Sequence, residues 1–155
     1  ISLMRKVEVS AFELAQRFVG IKEVPGSVSN QHILAMLRLD DQWPADDAVP
    51  WCSAFANYIA WLLRLPRSRS LRARSWVGVG EVVSPDHAEP GFDVVILKRG
   101  KGNQPGPDVI NASGHVGFFA GIEGHRVLVL GGNQSNSVSI APFPGSQILG
   151  IRRLA

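Results

Sequence analysis

The stretch Val49-Pro50-Trp51-Cys52-Ser53-Ala54-Phe55 carries the only cysteine of the 155-residue chain, and its reading decides the rest. Behind the cysteine, Phe55, Ala56, Ile59, Leu62 and Leu63 recur at helical spacing, with Tyr58 and Trp61 adding apolar surface elsewhere. Proline is tolerated at a helix start and excluded from its interior, so Pro50 predicts a helix that begins near Trp51. Cys52 then lies in the first turn, where unpaired N–H groups and the positive end of the helix dipole favour an anion. A free thiol has a pKa of ~8.5, and a helix start with a neighbouring histidine brings it well below that. Two readings stand on position alone: an activated nucleophile, or a small buried hydrophobe.

Two further stretches favour the nucleophile. In Ser113-Gly114-His115-Val116-Gly117-Phe118-Phe119 a histidine opens a strand between glycines that let another backbone or a ligand come close. Val127-Leu128-Val129-Leu130-Gly131-Gly132-Asn133-Gln134 is an apolar strand ending in two side-chain amides. Cysteine at a helix start, histidine at a strand start and a polar residue on the next strand follow the order of a papain-like thiol site. Of the four histidines, His87 and His125 read as surface residues and His32 as a surface or half-buried one. His115 is the expected general base, since imidazole titrates near neutrality. Asn133 is the expected orienter, its amide oxygen accepting from the far ring N–H; it also reads as a plain turn residue. The Cys52 N–H supplies one oxyanion donor, and Gln134 is the candidate for a second.

The length fits a single domain, 1–155, with its own core, and residues 1–6 read as the edge of a longer chain or a cloning remnant. They are too short and too charged for a signal peptide, and no apolar run approaches the ~20 residues of a membrane span. One cysteine excludes an internal disulfide and a thiolate-rich zinc site. Net charge +3 and pI ≈ 9.5 favour anionic partners without choosing among them. The run Arg64 to Arg74 is the densest positive charge; without interleaved aromatics it reads as a solvated face, and no nucleic-acid partner is expected. Asp40 to Asp47 lacks the ligand order of a calcium loop and reads as a solvated lead into the cysteine helix.

Ser10 and Glu13 form a capping box for a first helix, Asn30 caps a second, and Ser75 to Gly78 closes a short one around Trp76, which is core or cleft wall. From Pro90 the period changes to strands: 92–98, 115–122, 126–130, 138–142 and 148–154. Helices first and an antiparallel sheet of about five strands afterwards make the fold class α+β.

Together Pro50-Trp51-Cys52-Ser53-Ala54-Phe55, Ala73-Arg74-Ser75-Trp76, Gly114-His115-Val116-Gly117-Phe118, Leu130-Gly131-Gly132-Asn133-Gln134 and Leu149-Gly150-Ile151-Arg152-Arg153 resemble CHAP-like cell-wall hydrolases of the wider NlpC-type papain-like superfamily. The resemblance covers nearly the whole chain. It implies a peptidoglycan peptidase or N-acetylmuramoyl-L-alanine amidase with Cys52 as nucleophile, His115 as base and Asn133 as orienter. It also implies Trp51 and Trp76 as cleft-side aromatics for the substrate, no cofactor or metal, a monomer, and action at the bacterial wall. The chain departs from the pattern at Ala48, at Phe92 within Pro90-Gly91-Phe92-Asp93, and in the long loop Gly100 to Ser113, which is expected to set specificity. The rival readings are an inactive wall-binding module on the same fold and a thiol acyltransferase.

Overall fold

The computed structural model of the protein describes residues 8–24, 30–40, 50–100 and 103–155. Residues 1–6, the turn past Val24 and the acidic loop past Asp40 lie outside the described residues. Helices α1 (Ala11–Gln16), α2 (Gln31–Leu37) and α3 (Cys52–Leu62) precede strands β1 (Glu81–Val83), β2 (Asp93–Lys98), β3 (Gly114–Glu123), β4 (Arg126–Gln134), β5 (Ser137–Pro144) and β6 (Ile148–Arg153). The strands form one antiparallel sheet in the order β1-β6-β2-β3-β4-β5. The fold is therefore α+β, with six strands rather than about five. The extra one is β1, three residues long at a sheet edge and with Val82 exposed, too short to leave a periodic signal.

Local chemistry starts the helices where the sequence predicts. Ser10 Oγ accepts from the Glu13 N–H at 3.1 Å, and Asn30 Oδ1 accepts from the His32 N–H at 2.9 Å. The alternation of side chains across a pleated sheet then divides the core in two. Val94, Ile96, Val116, Phe118 and Leu130 face the helices and pack with Phe55, Ile59, Ile33 and Trp76. Val95, Leu97, Phe119, Val127, Val129 and Ile151 build a second cluster on the opposite face. A bidentate pair closes β2 against β6: Arg153 Nε and Nη2 donate to the buried Asp93 carboxylate at 2.8 and 2.9 Å. Asp93 thus keeps a structural partner despite the inserted Phe92.

Close approach of α3 to β4 depends on Gly132. A Cβ there meets the Trp51 ring at 2.6 Å and Phe55 Cβ at 2.8 Å. Among the described residues no helix is long and apolar enough to cross a membrane. Gly132→Ala is expected to lower stability by about 1–3 kcal/mol through overpacking. The urea midpoint at constant m-value measures this, and an unchanged midpoint contradicts the packing described.

Candidate active site

Cys52 is the first residue of α3 and is 3% exposed; His115 is the second residue of β3 and is 5% exposed. The His115 ring and the backbone N–H of Val116 both act on the sulfur, favouring its charged form. On the far side of the ring, His115 Nε2 lies 2.8 Å from Gln134 Oε1. The Gln134 amide is held in one orientation because its Nε2 donates to the carbonyls of Val129 at 3.1 Å and Ser139 at 2.8 Å. Its oxygen therefore faces the ring, and His115 Nε2 carries the proton. Nδ1 is left unprotonated in the neutral ring and able to take a proton. Phe143 stacks on the imidazole at 5.1 Å between centroids.

The amide bonded to the ring is thus Gln134, not the Asn133 expected from sequence. In a regular strand Gly131 and Asn133 share a face, and a Cβ on Gly131 points at Gln134 Oε1 and His115 Nε2, at 2.6 and 3.3 Å. The register shifts between Gly131 and Gln134, and Asn133 has φ 59°, the left-handed region. This bulge moves the alternation by one residue and delivers Gln134 to the histidine's face. Asn133 instead lines the cleft beside the ring. With its oxygen on His115 and its nitrogen on two carbonyls, Gln134 has no donor to spare for an oxyanion.

The two tryptophans also sit elsewhere than expected. Both are 0% exposed, so neither offers a ring to the cleft. Trp51 Nε1 donates to Glu23 Oε1 at 2.7 Å, and Trp76 Nε1 donates to Ser53 Oγ at 2.9 Å. Ser53, beside Cys52, donates through Oγ to the Ser70 carbonyl, and the buried Asn57 donates to that same carbonyl at 3.1 Å. The sequence reading missed this polar mount, whose serine and asparagine at i and i+4 of α3 are its only signal. The basic run is likewise not a uniform solvated face: Arg67 forms a bidentate pair with Asp40 at 2.7 and 2.9 Å, and Arg74 is fully buried. His32, His87 and His125 are exposed, as read from sequence.

The electrostatics couple sulfur and ring. Burial pushes the Cys52 thiol up, but the hydrogen bond and charge of His115, the Val116 N–H and the field of Arg99 outweigh it, leaving the thiol below its ordinary value. Burial pulls the His115 ring down, and its bond and attraction to Cys52 and its bond to Gln134 outweigh this, holding the ring above its usual value. Thiolate and imidazolium therefore stabilise each other as a pair.

The pair lies between two limbs of one cleft. Cys52, Arg72, Arg99, Ser113 and Gly114 line one; Lys98, Arg99, His115, Asn133 and Phe143 line the other. No carboxylate lines either limb among the described residues. Nor do those residues gather three or more His, Cys, Asp or Glu side chains as a metal would require.

No protein-family profile and no curated protein sequence matches the chain. Its structure is similar to NlpC2 from Trichomonas vaginalis (TM-score 0.56, 18% identity), covering 93% of this chain and 44% of that one. NlpC1 from the same organism matches with TM-score 0.54 and 17% identity over 93% and 42% of the two chains. An NlpC/P60 family protein from Bacillus cereus ATCC 10987 matches with TM-score 0.53 and 17% identity over 94% and 39%. The chain therefore has the NlpC/P60 fold, and it spans about two-fifths of the length of the solved structures it matches.

Loss of the Gln134 amide removes one support of the imidazolium, so Gln134→Ala is expected to move the onset of Cys52 alkylation by iodoacetamide to higher pH. Asn133→Gly, which keeps the left-handed turn, is expected to leave that onset in place. The opposite pattern, with Asn133 decisive and Gln134 silent, contradicts the assignment.

Proposed function

We propose that the protein is a thiol hydrolase of amide bonds in the peptide of bacterial peptidoglycan, with Cys52 as nucleophile, His115 as general base and acid, and Gln134 as orienter. The observation that carries this reading is a thiol and an imidazole that each favour the other's charged form, with the imidazole held by a locked amide. His115 Nδ1 takes the Cys52 proton, and the thiolate attacks the amide carbonyl. The developing oxyanion lies toward the start of α3, where the Cys52 N–H has no partner within its helix. The imidazolium gives its proton to the leaving amine, leaving a thioester. Water, deprotonated by His115, then attacks the thioester, releasing the acid and restoring the thiol.

Three things support the wall peptide as substrate: the five motifs that resemble CHAP-like wall hydrolases, the likeness of fold to NlpC/P60 proteins, and the charge of the cleft. Arg72, Lys98 and Arg99 line it without a carboxylate beside them, an environment suited to the carboxylates of stem peptides. Asn133 takes its place here as a cleft residue in contact range of substrate. Trp51 and Trp76, being buried, hold the site's shape and bind no sugar. The proposed place of action is the bacterial wall, and the chain works as a monomer.

Incubation of purified sacculi with the protein, followed by mass spectrometry of released fragments, is expected to show new amine and carboxyl ends at one stem-peptide bond. Cys52→Ala is expected to lower release by at least about 10³-fold with its unfolding midpoint retained. Full release by that variant, or binding to sacculi without any release by the wild type, overturns the proposal.

A further inference from the structure

We infer that Arg74 is a positioning residue that fixes the width of the Cys52 limb by holding the segment 103–113 as its wall. Arg74 lies in a short 3-10 helix, Ala73–Gly78, and is 0% exposed. Its Nε donates to the Ser113 carbonyl at 2.9 Å, and its Nη1 donates to the carbonyls of Pro105 at 2.9 Å, Gly106 at 2.8 Å and Val109 at 3.3 Å. One guanidinium thus gathers carbonyls from both ends of a segment that has no helix or strand and is mostly exposed. Ala112 and Ser113, at the end of that segment, line the limb that opens onto Cys52.

The choice of arginine is specific to this task. A guanidinium carries several donors in a rigid fork and keeps its proton when buried, whereas lysine offers one compact point charge. Burying such a charge against neutral carbonyls is costly. The cost is greater here because Nη2 is buried with no partner among the described residues. The arrangement gains a defined loop position at the expense of folding energy. The stem of Arg74 also runs directly beneath Gly114, where a Cβ meets Arg74 Cγ at 2.9 Å. Trp76, two residues along the same 3-10 helix, holds Ser53 beside the nucleophile. One short element therefore mounts both the nucleophile and the wall opposite it.

Arg74→Lys keeps the charge and loses the fork. In that variant the Cys52 alkylation rate with a bulky aryl maleimide, relative to iodoacetamide, is expected to rise about ten-fold, while the pH onset with iodoacetamide stays put. Amide exchange across 103–113 is expected to accelerate while α3 stays protected. On the reading proposed above, KM for the wall peptide rises about ten-fold with kcat within about three-fold. The alkylation and exchange measurements need no substrate, so they judge the clamp even if wall peptides are not hydrolysed. An unchanged reagent ratio with unchanged loop exchange in the folded variant overturns the inference, as does a shift of the pH onset without either change. Should the variant not fold, side-chain ¹⁵N spectra of the wild type decide: slowly exchanging Arg74 Nη1 protons support the clamp, and freely exchanging ones refute it.

Discussion

The site depends on the locked carboxamide of Gln134. Two carbonyls, those of Val129 and Ser139, take both directions of its nitrogen, so its oxygen can only face the imidazole. That single orientation determines which nitrogen of the neutral ring carries the proton, and leaves the other able to accept one. Gly131 is required for the same reason, because a side chain there would occupy the space of the amide and the ring. The lock costs no charge: a neutral amide steadies the imidazolium without competing with the thiolate for it.

Around that lock the fold arranges two independent supports. Helix α3 brings the sulfur to the sheet by packing Trp51 and Phe55 against Gly132, while Ser53, Asn57 and Trp76 tie the helix to the segment that follows it. The sheet brings the histidine, stacked against Phe143, and the bulge in β4 brings the amide. Cations then line the opening on both sides of the pair, and Arg99 lines both limbs. Positive field at the cleft favours the thiolate.

Much of this was legible in the sequence. Cys52 was readable because proline, an apolar helix and a lone thiol coincide; His115 was readable because it alone among the histidines opens an apolar strand. The helix caps at Ser10 and Asn30 follow from local hydrogen bonding and were readable too. The amide bonded to the imidazole was not, because the choice between Asn133 and Gln134 turns on a one-residue slip of strand register, which composition does not encode. The tryptophans were misplaced for a related reason: a large aromatic beside a nucleophile reads equally as cleft wall or core, and only packing against Gly132 and bonding to Glu23 and Ser53 distinguish them. The role of Arg74 was hidden because a buried guanidinium among exposed arginines looks like part of a charge run. Strand β1 was hidden by its length.

The central claim is that sulfur and imidazole share a proton in favour of the charged pair. Its most direct test is the ultraviolet thiolate absorbance of the wild type minus that of Cys52→Ser, followed across pH. A titration well below the ~8.5 of a free thiol is the expected result. A thiolate that forms only at or above that value contradicts the account.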